Sequence, residues 1–131
     1  MVLKIDMSGE IPIYIQLRNE IVKGIGRGEL AAGENLPTVR QLASELGVNT
    51  MTVSKAYQFL KSEGFIETDR RKGAVVRKIP DMEPAGSAAA ERYRDRLGDE
   101  LELLSAEAKL RGLKREDFLR LCEDAFAEMG V

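Results

Sequence analysis

A chain of 131 residues and 14.5 kDa can bury one modest hydrophobic core, or the core of a small domain that carries an appendage. Its 44% hydrophobic and 32% charged residues are typical of a soluble globular protein, and no run reaches the roughly 18 apolar residues that a membrane helix requires. The sequence has no histidine and a single cysteine, which leaves no Ser-His-Asp or Cys-His catalytic set and argues against a zinc site. We therefore expect a protein that is not an enzyme and needs no metal or cofactor.

The formal net charge of −2 averages over an uneven distribution. Residues 1–80 carry 12 Lys and Arg against 9 Asp and Glu, whereas residues 81–131 carry 8 against 13. A basic N-terminal part suits a nucleic-acid partner. The N-terminus also lacks the continuous apolar core of a signal peptide, so we expect a cytoplasmic location without a membrane partner.

The first predicted element is an amphipathic helix with Pro12 in its first turn, a position that proline favours. A glycine-rich stretch, residues 24–28, is expected to end it. Its apolar face consists of residues that recur every four positions, namely Ile13, Leu17, Ile21 and Ile25. A turn at Gly33 and a very short strand at residues 34–36 lead to the next element.

Residues 37–60 have the pattern of two short helices joined by a tight turn. The first helix is expected to have Thr38 as its N-cap and to end at Gly47, which can adopt the left-handed conformation that a helix C-terminus favours. The second has Asn49 as its N-cap. Its buried stripe is formed by Val53, Ala56, Tyr57 and Leu60. This pattern indicates a helix-turn-helix.

Short polar, flexible or cationic side chains crowd the N-terminal turns of the second helix, where a recognition helix meets base edges in the major groove. They are Thr50, Met51, Thr52, Ser54 and Lys55. Any solvated helix carries polar residues on its outer face, so the flanking segments must decide between the two interpretations.

A positively charged hairpin is predicted directly after this helix. Strands at residues 65–68 and 74–78 flank the turn Asp69-Arg70-Arg71-Lys72-Gly73, which has three consecutive cations at its tip. Anionic phosphates would offset the repulsion among these cations, and Arg or Lys at such a tip can enter a minor groove. A solvated turn is the alternative, but the position beside a helix-turn-helix favours a DNA-binding wing.

The C-terminal part is predicted to be a linker at residues 80–87, followed by two amphipathic helices. The first helix, at 88–111, has a near-heptad apolar stripe of Tyr93, Leu97, Leu101, Leu104 and Ala108. The apolar face of the second consists of Phe118, Leu121, Cys122, Ala125, Phe126 and Met129, with Cys122 expected to be a small buried hydrophobe. Two helices are too thin a layer to bury both stripes, which favours a two-fold dimer over packing against the chain's own winged domain.

Several motifs, spaced in order from Pro12 to Arg77, resemble the GntR family of bacterial transcription regulators, and above all its YtrA-like subfamily. They are P-I-Y-I-Q-L at 12–17, L-P-T-V-R-Q-L-A at 36–43, V-N-T-M-T-V-S-K-A-Y at 48–57, E-G-F-I-E-T at 63–68 and K-G at 72–73. A short two-helix C-terminal region, in place of a large effector domain, is also typical of that subfamily.

The resemblance implies roles for individual residues. The arginine that matches Arg40 holds DNA near the start of the first helix of the motif, and the residue that matches Gly73 lies at the wing tip in the minor groove. Contacts to bases and phosphates are implied for Asn49, Thr50, Met51, Thr52 and Ser54. One position departs from the family pattern, because many subfamily members have an asparagine where this chain has Met51, which offers a base only apolar contact. The target sequence therefore cannot be carried over.

The sequence thus predicts a mainly α fold with a small β-hairpin wing (α+β), with a winged helix-turn-helix DNA-binding domain at residues 1–80 and a linker and helical dimerisation region at 81–131. The expected function is repression of transcription by a homodimer on a two-fold symmetric DNA operator, with a winged-helix protein-interaction module as the alternative. The candidate DNA-binding residues are Thr38, Arg40, Asn49, Thr50, Met51, Thr52, Ser54, Lys55, Arg71, Lys72 and Gly73. The candidate dimerisation residues are Leu97, Leu101, Leu104, Ala108, Phe118, Leu121 and Phe126. The sequence identifies no effector molecule.

Overall fold

The computed structural model describes residues 3–78 and 86–130, so most of the predicted linker, residues 80–85, lies outside the described residues. The elements in these ranges are α1 (Ile13–Gly26), α2 (Val39–Leu46), α3 (Thr50–Ser62), β1 (Ile66–Asp69), β2 (Gly73–Val76), α4 (Ala88–Leu110) and α5 (Arg115–Ala127). The chain divides into two compact units, Met1–Met82 and Glu83–Val131. A helix-turn-helix and a β-hairpin, followed by two further helices, confirm the predicted fold class. None of the described helices is long and apolar enough to cross a membrane.

The first helix extends further than the sequence predicts. Pro12 is its N-cap rather than part of its first turn, and the helix continues through Gly24 to Gly26. Gly24 is buried, and a Cβ atom at this position would lie 3.2 Å from Cδ1 of Leu30. This glycine therefore allows the chain that follows α1 to pack closely against it, and the prediction that Gly24 helps to end the helix was wrong.

The caps of the helix-turn-helix are confirmed. Oγ1 of Thr38 accepts a hydrogen bond from the backbone N–H of Gln41, whose side-chain oxygen accepts one from the backbone N–H of Thr38, at 3.1 and 3.0 Å. Gly47 has a φ of 70° and ends α2 in the left-handed conformation. Oδ1 of Asn49 accepts from the backbone N–H of Met51 at 2.7 Å and so caps α3. The turn between α2 and α3 is thus fixed by local chemistry.

The core of the first unit lies between α1, α2, α3 and the hairpin. The predicted stripe of Val53, Ala56, Tyr57 and Leu60 is buried in full. It packs with apolar residues of the other elements, among them Leu17, Ile21, Leu42, Ile66 and Val76. Since this stripe is buried, the opposite side of α3 is the side that a partner can reach.

The hairpin is joined to the segment that precedes α2. β1 and β2 are antiparallel, with Ile66 opposite Val76 and Asp69 opposite Gly73. The short strand expected at residues 34–36 is reduced to a bridge between Asn35 and Val75. Backbone hydrogen bonds of 2.7–3.0 Å run from Gly33 to Val76, from Leu36 to Ala74 and from Val76 to Glu34. These bonds hold the hairpin beside the helix-turn-helix.

The second unit consists of α4 and α5. Oγ of Ser87 accepts from the backbone N–H of Ala90 at 3.1 Å and caps α4, and Gly112 follows the helix with a φ of 87°. Neither helix contains a buried residue. Cys122 is exposed, contrary to the expectation of a small buried hydrophobe, because no residue of α5 is buried by the part of the chain that the structure describes.

Candidate nucleic-acid interface

The outer side of α3 is accessible. Met51 is 76% exposed, as expected for a residue opposite the buried stripe, and Thr50 and Lys55 are exposed as well. Thr52 and Ser54 are half-buried, which leaves part of each side chain at the surface. The N-terminal turns of α3 therefore present short polar groups around one flexible apolar side chain.

An open depression joins the start of α2 to the start of α3. Its volume is about 410 Å³, and it is lined by Val39, Arg40, Thr50, Met51 and Ser54. The fold thus brings four of the candidate DNA-binding residues from two helices onto one surface. A guanidinium and two hydroxyls beside an apolar side chain can contact a phosphate and a base edge at the same time.

Two of the candidate residues already serve as helix caps. The Oγ1 atom of Thr38 and the Oδ1 atom of Asn49 each accept a backbone hydrogen bond at a helix N-terminus. The donor groups that remain, the hydroxyl of Thr38 and the Nδ2 amide of Asn49, suit a phosphate oxygen. Both residues therefore shape the interface before they contact any partner.

Lys55 lies against an aromatic ring. Its Nζ atom is 4.1 Å from the centroid of the Tyr14 ring, a cation–π distance that joins α3 to α1. The sequence predicted Lys55 as a site residue but gave no indication of Tyr14, because the two residues lie on different helices and their contact follows only from tertiary packing.

The tip of the hairpin is ordered by its own hydrogen bonds. Oδ1 of Asp69 accepts from the backbone N–H groups of Arg71 and Lys72 at 2.7 and 3.1 Å, and these bonds hold the pKa of Asp69 below its ordinary value. Gly73 has a φ of 81°, and the backbone carbonyl of Lys72 accepts from Nδ2 of Asn35 at 2.5 Å. The backbone of the tip is therefore fixed, while the cationic side chains of Arg71 and Lys72 remain exposed.

A second depression lies between α3 and the hairpin. It has a volume of about 360 Å³ and shares Val39 and Ser54 with the first. Tyr57 lines it and donates a 2.7 Å hydrogen bond to the carbonyl of Pro37, and burial raises the pKa of this phenol. The depression also exposes Gln58 and Lys61, which the sequence interpretation missed. Their positions, four and seven residues after Ser54, were a helical-periodicity signal that could have identified them.

The exposed cations around α3 and the hairpin differ from a cation that stabilises the fold. Arg18 of α1 forms a two-pronged ion pair with Glu63 at the end of α3, with N···O distances of 2.6 and 2.8 Å, and lies over the rings of Phe59 and Phe65. Arg40, Lys61 and Arg71 take part in none of the ion pairs within 4 Å that join described residues. Their charges are therefore available to an anionic partner.

The candidate dimerisation residues form exposed apolar surfaces on α4 and α5. The exposed members are Leu97, Leu101, Leu104, Leu121 and Phe126, whereas Ala108 and Phe118 are half-buried. Exposure reaches 79% for Phe126, an unusual value for a phenylalanine in a helix. The second unit thus leaves exposed most of the apolar side chains that the sequence places on its helix stripes.

A helix-turn-helix followed by a basic hairpin, with polar side chains on the outer face of the second helix, defines a winged helix-turn-helix of the DNA-binding class. The family model for the bacterial regulatory proteins of the gntR family matches residues 13–76. The chain belongs to the GntR family of DNA-binding transcription regulators.

Two curated relatives extend the similarity beyond the winged unit. The chain is 38% identical over 91 residues to the HTH-type transcriptional regulator Rv1152 of Mycobacterium tuberculosis. This match covers 70% of this chain and 75% of that protein. It is 32% identical over 114 residues to the HTH-type transcriptional repressor YtrA of Bacillus subtilis. This match covers 87% of this chain and 84% of that protein.

Solved structures agree with the fold. A transcriptional antiterminator from Listeria monocytogenes matches with a TM-score of 0.79 and 26% identity over 100% of this chain and 95% of that one. YtrA from Sulfolobus acidocaldarius, a GntR-family transcription factor, matches with a TM-score of 0.60 and 36% identity. The match covers 78% of this chain and 99% of that one. The DNA-binding domain of AraR in complex with operator ORX1 matches with a TM-score of 0.52 and 27% identity. The match covers 58% of this chain and 98% of that one.

Proposed function

We propose that the protein is a homodimeric transcriptional repressor that binds an operator with two-fold symmetry. The observation that carries this proposal is the continuous surface on which α2, α3 and the hairpin meet, where hydroxyl, amide and cationic side chains lie beside apolar ones. The two depressions on this surface share Val39 and Ser54, so a single ligand as long as a duplex can contact both.

Each part of that surface has a separate task in the proposed complex. Arg40, Arg71 and Lys72 neutralise phosphates and set the register of the protein on the duplex. The side chains from Asn49 to Lys55 read base edges in the major groove, and Gly73 allows the hairpin backbone to approach the minor groove. The AraR DNA-binding domain, which was crystallised on an operator, supports this use of the fold.

The exposed apolar faces of α4 and α5 support self-association. A second copy of the chain offers the same faces, and an isologous two-fold contact would remove both sets from water. Two linked winged units then bind two half-sites, and the second binding event gains from a high effective concentration. The monomer should therefore bind DNA poorly.

Repression follows if the bound dimer covers a promoter and excludes RNA polymerase. The name of the B. subtilis relative, a transcriptional repressor, supports this direction of regulation. A regulator that binds chromosomal DNA works where that DNA is, so we place it in the cytoplasm.

Selection of bound duplexes from a random DNA pool tests the proposal. We expect enrichment of an inverted repeat, two protein chains per duplex in sedimentation, and less transcription in vitro when the repeat overlaps a promoter. Enriched sites without symmetry, bound by one chain, would contradict the dimeric operator, and increased transcription would contradict repression. Absence of any salt-dependent DNA binding would instead favour a protein-interaction module.

A further inference from the structure

The depression between α3 and the hairpin combines predicted DNA-binding residues with side chains that the prediction omits, among them Gln58 and Lys61. Apolar side chains line part of it, including Leu36, Val39, Tyr57 and Ile66. Hydrogen-bond donors and cations line the rest, namely Thr38, Ser54, Gln58, Lys61, Thr68 and Lys72. None of the residues that line it is acidic. The chemistry therefore suits a partner that combines carbon surface with negative charge.

The position of the depression identifies such a partner. A recognition helix enters the major groove and a wing enters the adjacent minor groove, and in B-DNA a single sugar–phosphate strand separates these two grooves. A protein whose helix and wing occupy both grooves must therefore straddle that strand. The depression lies between the two elements that straddle it.

We propose that this depression holds the DNA strand between the two grooves, with Lys61 and Gln58 as additional backbone contacts. The inference rests on the proposed function. It adds to the DNA-binding surface a binding site for the strand, and it adds Lys61 and Gln58 to the residues that contact DNA. Deoxyribose carbons pack on the apolar lining, and a phosphate accepts hydrogen bonds from the Nζ atom of Lys61 and the side-chain amide of Gln58.

Charge and accessibility support Lys61 as the principal contact. The side chain is exposed, lies on the side of α3 that adjoins the hairpin, and belongs to none of the ion pairs among described residues. Lys72 lines the same depression from the hairpin, so one phosphate strand would lie between two ammonium groups. None of the lining residues is a carboxylate, so an anion that binds there meets cations without a competing negative charge in the lining.

The first experiment compares Lys61→Ala with Lys109→Ala, an exposed lysine in the last turn of α4 that changes the net charge equally. The probes are the duplex recovered by selection and an unrelated duplex of equal length, titrated by fluorescence anisotropy across a range of salt concentrations. Lys61→Ala should weaken binding roughly tenfold at 0.1 M salt and lower the salt slope by about one unit for each half-site bound. The loss should be equal on both duplexes, Lys61→Arg should restore most of it, and Lys109→Ala should leave binding unchanged.

The second experiment locates the phosphate. Single neutral methylphosphonate linkages are placed one at a time along each strand of the selected duplex, and each duplex is titrated with wild-type protein and with Lys61→Ala. We expect a linkage at which the wild-type protein loses affinity and Lys61→Ala loses no more, because the contact is already absent. Hydrogen exchange of the α3 amides in both proteins checks that the variant is folded.

The outcomes separate this inference from the function on which it rests. If wild-type protein shows no salt-dependent binding to either duplex, the proposed function fails and the inference fails with it. If wild-type protein binds but Lys61→Ala responds to every neutral linkage as the wild type does, the strand does not contact Lys61 and only the inference is overturned.

Discussion

The two units of this chain differ in where they keep their apolar side chains. In the winged unit, Leu17, Ile21 and Leu60 are fully buried, and the surface around α3 carries cations and short polar groups. In the helical unit no residue of α4 or α5 is buried, and Leu110 and Phe126 are 86% and 79% exposed. One unit completes its core within a single chain, whereas the other presents its apolar residues to the outside.

This difference indicates two kinds of partner. A surface of cations and polar groups on a unit whose apolar core is already buried binds a polyanion most favourably. Added salt should weaken that binding steeply. Apolar helix faces gain from the removal of hydrocarbon from water, which salt does not weaken. The first surface therefore suits DNA, and the second suits another apolar surface, which we propose is that of a second copy of the chain.

The largest expected effect is the loss of the dimer when charges are placed in the α4 stripe. Leu101→Glu combined with Leu104→Glu would bury uncompensated carboxylates, each of which costs about 3–5 kcal/mol. We expect the dissociation constant of the dimer to rise by at least about 100-fold, since roughly 1.4 kcal/mol corresponds to a factor of ten. Analytical ultracentrifugation at micromolar concentration measures it.

A charge-matched variant controls for the added negative charge. Leu103 and Leu110 are seven residues apart on α4, on a side away from the stripe, so Leu103→Glu with Leu110→Glu should remain dimeric. A wild-type protein that sediments as a monomer, or a stripe variant that remains a dimer, would refute the assignment of this surface.

The next largest effect concerns the stability of the buried core of the winged unit. Leu60 has no exposed surface, so Leu60→Ala should lower the free energy of opening of α3 by about 2–5 kcal/mol through lost burial and a cavity. Leu103 is 62% exposed, and Leu103→Ala should stay within about 0.5 kcal/mol. Hydrogen exchange of the α3 amides measures the effect of Leu60→Ala, and hydrogen exchange of the α4 amides measures that of Leu103→Ala. Equal effects of the two substitutions would mean that the units do not differ in the way their burial indicates.

Local features of the fold could be predicted from the sequence because they depend on neighbouring residues. Thr38 and Asn49 cap helices through atoms two or three residues away, and Gly47 needs only its own backbone conformation. The hairpin follows from two β-prone segments around a glycine-containing turn. The stripe on α3 follows from helical spacing, which also predicted that Met51 faces outward.

Features that depend on tertiary contact could not be predicted in this way. Gly24 has the appearance of a helix stop in the sequence, and only its contact with Leu30, from outside the helix, explains its position within α1. The ring of Tyr14 lies under Lys55 because α1 packs on α3. The burial expected for Cys122 failed in the single chain for a related reason, since a helix face cannot specify from its own sequence what covers it.

A smaller effect is expected at Met51, an exposed apolar residue on the polar surface of the winged unit. Met51→Asn introduces a donor and an acceptor suited to adenine, so the preferred base should change with a discrimination of about 1–3 kcal/mol. The stability should change by only a few tenths of a kcal/mol, which is roughly the difference in helix propensity. Paired selections from random DNA and thermal melts test both expectations.

Met7 provides a matched control for this substitution, because it is 54% exposed and precedes α1. Met7→Asn should leave the selected sites unchanged. If wild type and Met51→Asn select identical sites, Met51 does not contact a base.

The smallest effect is expected at the wing, and it separates the two surfaces most directly. Lys72→Ala removes one cation from a tip whose backbone is held by Asp69 and Asn35, so the hairpin should keep its conformation. Phosphate contacts carry no base information, so binding to every duplex should weaken by a similar factor, and the salt slope should fall by about one unit for each half-site. The dissociation constant of the proposed dimer should not change, because Lys72 lies on the hairpin and all candidate dimerisation residues lie on α4 and α5. Anisotropy titrations at several salt concentrations, together with sedimentation of the same samples, give both quantities. An unchanged salt slope would remove the wing from the DNA interface, and a change in dimer stability would mean that the cationic and apolar surfaces are not independent.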